Sequence, residues 1–329
     1  MQQREFLKHV ENELINRKQL FACYDSETAH VELPELKDSG KPYTCDNTIL
    51  CIFSINGKVI TFRYIKDFML FLKDLEEVLS HKYVKTSSGV KWNGKRKHVR
   101  RLIIWVHNLK YDIWALLMPL NKYFKINNDE TMIIKAQFVR LVAGCFEFRD
   151  SLKLTGLSLE KSGIEYEIPE EFRKKTGDWD YTKVRTQSTV ISPEEMGYAV
   201  NDVLALEHII RNLMKLHDVK KIKNLPPTKT GFVRRHVKKE VKDDAEYQDR
   251  MNFKLTEESN YLAKRAYHGG ISDIPLQLDR HYAKGSIGDF DMTSQYPFVL
   301  CTQIYPCGDS IIDNSKTMED LDELVNEGW

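Results

Sequence analysis

Asp25-Ser26-Glu27 closes a mostly apolar run that begins at Phe21. In a strand, residues i and i+2 project to the same face. Both carboxylates therefore leave the end of a buried strand side by side, which is unfavourable unless a cation sits between them. Taken alone, the pair reads as an ordinary solvated strand end. Two further sites carry acids. Asp112 opens a helix just after the apolar run 101–107, and strand C-terminal edges are where α/β domains place their sites. Tyr198 and Asp202 lie four apart in a helical run and share one helix face. Asp25, Glu27, Asp112 and Asp202 would form four convergent acids with a phenol beside them. Such a set suits hard cations with oxygen ligands, Mg²⁺ or Mn²⁺. Two ions about 4 Å apart can clamp an in-line phosphoryl displacement, with Tyr198 orienting the attacking water.

The elements that must position these residues follow from pattern. Residues 1–19 read as an amphipathic helix and 20–26 as the first strand. Residues 31–47, with Pro34, Gly40 and Pro42, read as a loop or insertion. Thr48–Ile55 and Lys58–Tyr64 flank Asn56-Gly57, a hairpin signature. Apolar residues at 68, 71, 72, 75, 78 and 79 give 66–80 a helical period. A basic loop follows, then a buried strand over 101–107 and a short helix over 111–121. Residues 131–148 alternate like two or three strands with a turn near Gly144. Ser192-Pro193-Glu194-Glu195 supplies an N-cap, a first-turn proline and acidic residues, starting a helix that runs to about His217. The fold class expected is α/β, a mixed sheet with helices packed on it.

Composition fits a soluble globular protein: 329 residues, 42% hydrophobic and 29% charged. The length allows two domains or one large one. No apolar run approaches the roughly 20 residues that span a bilayer, and the charged N-terminus is not a signal peptide. Six cysteines at 23, 45, 51, 145, 301 and 307 contain no Cys-x-x-Cys pair, so buried free thiols in a reducing compartment are expected and zinc is not. Net charge is only +1. Basic residues nonetheless cluster over 91–101 and again over 215–239, either as phosphate-contacting surfaces or as solvated faces.

Asp25-Ser26-Glu27, Asn108-Leu109-Lys110-Tyr111-Asp112 and Tyr198-x-x-x-Asp202 resemble the three motifs of the DEDD (DnaQ-like) 3′–5′ exonucleases in their tyrosine-containing form. The versions here resemble those of family-B DNA polymerases, above all the protein-primed branch of phages, linear plasmids and viruses. Asp150-Ser151-Leu152-Lys153-Leu154 is similar to that branch's single-stranded-DNA motif. The resemblance implies an RNase H-like (DnaQ-type) exonuclease domain in which Asn108, Tyr111, Ser151 and Leu152 hold a frayed 3′ strand. An aromatic ring with polar donors is chemically suited to that task. The branch's supporting lysine is displaced: Thr176 precedes Gly177-Asp178-Trp179-Asp180-Tyr181, and Lys175 stands one residue further back.

Downstream, Tyr267-His268-Gly269-Gly270 resembles the Tyr-x-Gly-Gly motif joining exonuclease and polymerase domains. This implies DNA contacts at Tyr267, Gly269 and Gly270. Asp291-Met292-Thr293-Ser294-Gln295-Tyr296-Pro297 resembles polymerase motif A. By that resemblance Asp291 is a catalytic metal ligand and Tyr296 packs against the incoming nucleotide. The family's fingers motif and second catalytic aspartate are expected beyond Trp329. Asp320-Leu321-Asp322 reads instead as a solvated helix face.

The organisation expected is an exonuclease domain over 1–217, a linker and helical connector over 218–266, and the start of a polymerase palm over 267–329. The expected function is two-metal (Mg²⁺ or Mn²⁺) proofreading on single-stranded DNA within a protein-primed DNA polymerase. Expected partners are a single-stranded 3′ end and primer-template DNA, a terminal (priming) protein, and a second chain carrying the rest of the polymerase. No membrane is involved, and the expected location is the host cytoplasm or an organelle. The alternatives are a stand-alone DEDD nuclease and a non-catalytic DNA-binding subunit of a split polymerase.

Overall fold

A computed structural model describes residues 2–38, 41–86, 89–173, 179–180, 183, 185–245, 254–266, 298–299 and 302. The chain divides into two compact units, Met1–Lys238 and Lys239–Trp329. In the second, the described residues include a helix over Glu257–Ala266.

The first unit is built on a seven-stranded mixed sheet. Its strands are β1 (Ala22–Asp38), β2 (Lys41–Ile55), β3 (Lys58–Phe62), β6 (Leu102–Val106), β7 (Met132–Ile134), β8 (Gln137–Ala143) and β9 (Phe146–Asp150). They lie in the order β3-β2-β1-β6-β9-β8-β7. β1, β6 and β9 are parallel, and the other neighbours are antiparallel. A separate two-stranded sheet pairs β4 (His81–Thr86) with β5 (Gly89–Lys95).

Strand alternation divides the core into two layers. Ala22, Tyr24, Phe53 and Ile104 point to one face. Helices α1 (Gln2–Ile15), α2 (Ile65–Ser80) and α3 (Leu109–Phe124) contribute Phe6, Phe68, Phe71 and Ile113 to that layer. Tyr24 stacks on Phe68 with centroids 5.1 Å apart, and Phe6 meets Phe71 edge-on. Each such buried ring is worth about 1.5–3 kcal/mol of transfer free energy. Cys23, Ile52 and Trp105 point to the other face, against α5 (Leu159–Glu165) and α6 (Pro193–Leu216). α6 begins with the full reciprocal cap that its sequence announces: Ser192 and Glu195 bond each other's backbone amides.

Two expectations are corrected. Residues 31–47 are not a loop: β1 and β2 continue as an antiparallel ribbon, pairing Val31 with Cys45 and Asp38 with Lys41. The register jumps between Leu33 and Lys37, so Pro34, which has no N–H to donate, falls in the unpaired stretch. The stretch after α2 is likewise the β4–β5 hairpin over most of its length. Backbone pairing set both cases, against Gly, Pro and charge content that read as loop.

Candidate functional site

The acids gather where the parallel strands end. Tyr24 is in register with Val106, and Val106 with Asp150. Asp25 and the Asn108-to-Asp112 turn thus leave one sheet edge together. Alternation sends Asp25 and Glu27 to the α6 face, opposite Ile52 and Leu50. A register shift follows Glu27 directly, and such bulges re-aim side chains at strand ends. Glu27 is buried and Asp25 half-buried.

Ser26 alternates to the α3 face, and there it meets Asp112. One Asp112 carboxylate oxygen accepts the Ser26 hydroxyl at 2.6 Å and the Ser26 amide at 3.1 Å. Burial pushes the Asp112 carboxyl up to about 7, against the lowering effect of these bonds, and the Asp150 charge adds to the rise. The first turn of α3 is therefore tied to the middle of the Asp25-to-Glu27 segment.

Asp150 sits under the next connection. Its Oδ1 accepts the amides of Asn108 (3.1 Å) and Leu152 (2.9 Å), capping α4 (Ser151–Thr155). Burial raises its pKa, opposed by those same amides. Asn108 adopts the left-handed conformation, φ 66°, which asparagine tolerates better than most residues. Its side chain makes no cap bond and is exposed.

Tyr111, 49% exposed, is a surface residue. Its hydroxyl lies 2.7 Å from Thr28 Oγ1. Leu152 is half-buried. Ser151 is fully buried: its hydroxyl donates to the Val106 carbonyl and lies 3.0 Å from His107 Nδ1. Without DNA it has no exposed surface, because its hydroxyl bonds the end of β6. His107, half-buried beside it, is the group Ser151 positions.

On the opposite face, Tyr198 and Asp202 are both buried on α6. Tyr198 packs with Ala29, Ile49 and Trp179, placing it beside β1 just past Glu27. Trp179 is held in turn by the Arg185 guanidinium, 4.6 Å from its ring centre, and Arg185 pairs with Glu195 of the α6 cap. Lys175, Tyr267, Gly269, Gly270, Asp291 and Tyr296 lie outside the described residues.

Sequence reading gave no role to Thr28, nor to Ser26 and Asp150, although both stand inside the motifs it singled out. Asp150 carried a signal, an N-cap aspartate directly after a strand. Ser26 carried none, since it reads as a spacer between two acids.

The donor set is all oxygen, the chemistry that Mg²⁺ and Mn²⁺ require. The acids nevertheless reach the edge from two sides of the sheet. Among the described residues, no three His, Cys, Asp or Glu side chains form a group that could hold a metal ion. Carboxylates brought together without a cation repel one another; at Asp112 the rise comes from burial first and from the Asp150 charge second.

A mixed α/β sheet with helices on both faces defines the class of fold. Solved structures that share it are of Phi29 DNA polymerase. Its orthorhombic crystal form aligns with a TM-score of 0.59 at 16% identity, covering 90% of this chain and 48% of that one. Phi29 DNA polymerase complexed with primer-template DNA and incoming nucleotide substrates aligns at 0.54 and 15% identity, covering 79% and 40%. The same polymerase complexed with single-stranded DNA aligns at 0.52 and 14%, covering 78% and 41%. This chain spans less than half the length of those polymerases. At such identity the likeness is one of fold. No protein-family profile and no curated protein matches the sequence. Among the described residues, no helix is long and apolar enough to cross a membrane.

Proposed function

We propose that the chain is the N-terminal part of a protein-primed family-B DNA polymerase, and that residues 1–217 act as its 3′–5′ exonuclease on single-stranded DNA. The observation that carries this reading is the pair of hydrogen bonds from Ser26 to Asp112. It joins two motifs 86 residues apart at a strand edge that α6 also approaches with Tyr198 and Asp202. The fold likeness to Phi29 DNA polymerase supports it. Residues 218–266 are then the connector and 267–329 the start of the palm, with Tyr267, Gly269 and Gly270 as DNA contacts. Asp291 and Tyr296 are assigned to the polymerase site on motif resemblance alone.

Asp25, Glu27, Asp112 and Asp202, once drawn together across the sheet edge, would hold Mg²⁺ or Mn²⁺, which supplies Lewis acidity and a water of lowered pKa. Tyr111 offers an exposed ring for base stacking, and Asn108 an exposed amide for hydrogen bonding. Tyr198 orients the attacking water. Ser151 acts through His107, not through the strand itself. The test is degradation of a 5′-labelled single-stranded oligonucleotide with Mg²⁺ or Mn²⁺. Asp25→Ala/Glu27→Ala should slow it by about 10²-fold or more, the scale of losing a preorganised charge-stabilising group. Equal rates for variant and parent would overturn the proposal.

A second reading, a DNA-binding subunit without catalysis, draws on the lack of a closed carboxylate group among the described residues. Calorimetric titration with Mn²⁺ separates the two: saturable binding abolished by Asp25→Ala/Glu27→Ala supports the nuclease.

A further inference from the structure

The two basic runs, more than 110 residues apart, come together in the fold. Arg100 and Arg101 precede β6, and Lys221 and Lys223 follow α6. With Arg17, from the turn after α1, they line one hollow of about 410 Å³. Arg17 and Arg100 also line a second hollow, of about 390 Å³, together with Lys82 and Arg96. The two hollows therefore adjoin, with Arg17 and Arg100 lining both.

Their charge is largely uncompensated. Lys18 at the rim pairs with Glu13 at 2.9 Å, and Arg101 with Glu130 at 2.6 Å. Arg17, Lys82, Arg96, Arg100, Lys221 and Lys223 pair with no carboxylate among the described residues. Arg100 is half-buried beside Arg96, and both burial and that like charge lower its pKa. A fold tolerates cations crowded at a concave surface when a polyanion offsets them.

The first hollow lies at the strand beginnings, lined by Leu20, Leu102 and Ile103, whereas the acids lie at the strand ends. The five residues of β6 separate the two, roughly 13 Å at ~3.3 Å per residue step. A nucleotide at the acidic edge does not touch it.

We propose that this face is a second nucleic-acid site, in which the adjoining hollows bind the phosphodiester backbone of a single strand. Two adjoining hollows favour a chain of phosphates over a lone anion. The choice of nucleic acid rests on the reading of the protein as DNA-processing, while the site shares no residue with the nuclease edge.

The test compares Arg100→Ala/Lys221→Ala/Lys223→Ala with a control of equal charge loss elsewhere, Lys8→Ala/Lys66→Ala/Lys161→Ala, at exposed positions. The probe is a fluorescein-labelled oligothymidylate of about 20 nucleotides, longer than the roughly 4–16 that one binding fold occupies. Anisotropy titrations over a salt series should show the patch variant binding at least tenfold more weakly. Its log–log salt slope should be shallower by about 2, three contacts at ~0.7 each for a single strand. The control should bind like the parent, and cleavage of an oligonucleotide of about four residues should be unchanged by the patch variant. Asp25→Ala should retain the long-strand affinity, so a protein that cleaves nothing would sink the nuclease reading while the binding comparison still decides this one. Unchanged affinity and slope in the patch variant would overturn the proposal. So would an equal loss in the control, or a loss of binding to phosphatidylserine vesicles with oligonucleotide binding intact.

Discussion

Ser26 gives both its hydroxyl and its amide to one carboxylate oxygen of Asp112. Strand β1 thereby fixes the first turn of α3, and the two can move only together.

Removing the hydroxyl tests that coupling. Ser26→Ala leaves Asp112 with the amide alone in a buried position. It should lose about 1–3 kcal/mol, the range for a buried group deprived of a partner, measured by urea unfolding. Asp112→Asn keeps an acceptor for Ser26 and should unfold near the parental midpoint. Under the proposed function it should still degrade single strands about 10²-fold or more slowly. Parental stability in Ser26→Ala would show that the bond does not tie the elements.

Asn108 combines a left-handed backbone with an exposed amide side chain. Asn108→Gly removes only the side chain, since glycine adopts that φ freely. Asn108→Ala adds a backbone cost of roughly 1–2 kcal/mol. The glycine variant should therefore fold at least as stably as the alanine one. Both should lose oligonucleotide affinity to a similar extent in anisotropy. Affinity retained by the glycine variant would remove Asn108 from the DNA-contacting set.

Arg149 is buried with Glu147, 2.7 Å away, and donates to the Leu225 carbonyl. Arg149→Ala takes from buried Glu147 its nearest cation and leaves the longer pairs to Arg101 and Arg140, at 3.6 and 4.0 Å. It should cost about 1–3 kcal/mol, the range for a buried group deprived of one partner. Arg149→Met/Glu147→Met should recover most of that, because replacing both partners leaves no buried carboxylate short of a donor. A double variant as unstable as the single would place the cost in the lost Leu225 bond instead.

His208 stacks on Phe172 at 4.3 Å and His217 on Phe232 at 3.9 Å. Burial lowers both pKa values below the ordinary 6.5, with Arg235 adding to the effect at His217. The unfolded chain then binds these protons more readily than the folded one. Their stabilising contribution is complete above pH 6.5 and falls as pH drops through the folded-state values. His217→Phe keeps an aromatic stack without the proton. Its melting temperature should fall less steeply than the parent's between pH 7 and 5. Parallel curves would exclude His217 from the acid response.

Much of the fold was readable because its signals are local. The Asn56-Gly57 hairpin, the apolar period of α2 and the Ser192-Pro193 start of α6 each depend on neighbours in sequence. The long β1–β2 ribbon was not readable, because cross-strand pairing overrode Pro34, Gly40 and Pro42. The acids and Tyr198 stood out by type and spacing. What each one touches did not, because alternation separates Asp25 and Glu27 from Ser26 and puts the Asp112 contact on the other side of the sheet. The convergence of the basic runs was equally hidden, since their approach depends on where α6 delivers Lys221 and Lys223.

Because β1, β6 and β9 run parallel, their beginnings and ends collect opposite charges. Arg17, Arg100, Lys221 and Lys223 stand at one end, and Asp25, Glu27, Asp112 and Asp150 at the other. A net charge of +1 thus conceals a separation of these cations and acids along the strand axis. A polyanion is attracted at the strand beginnings and repelled at the strand ends until a cation masks the acids.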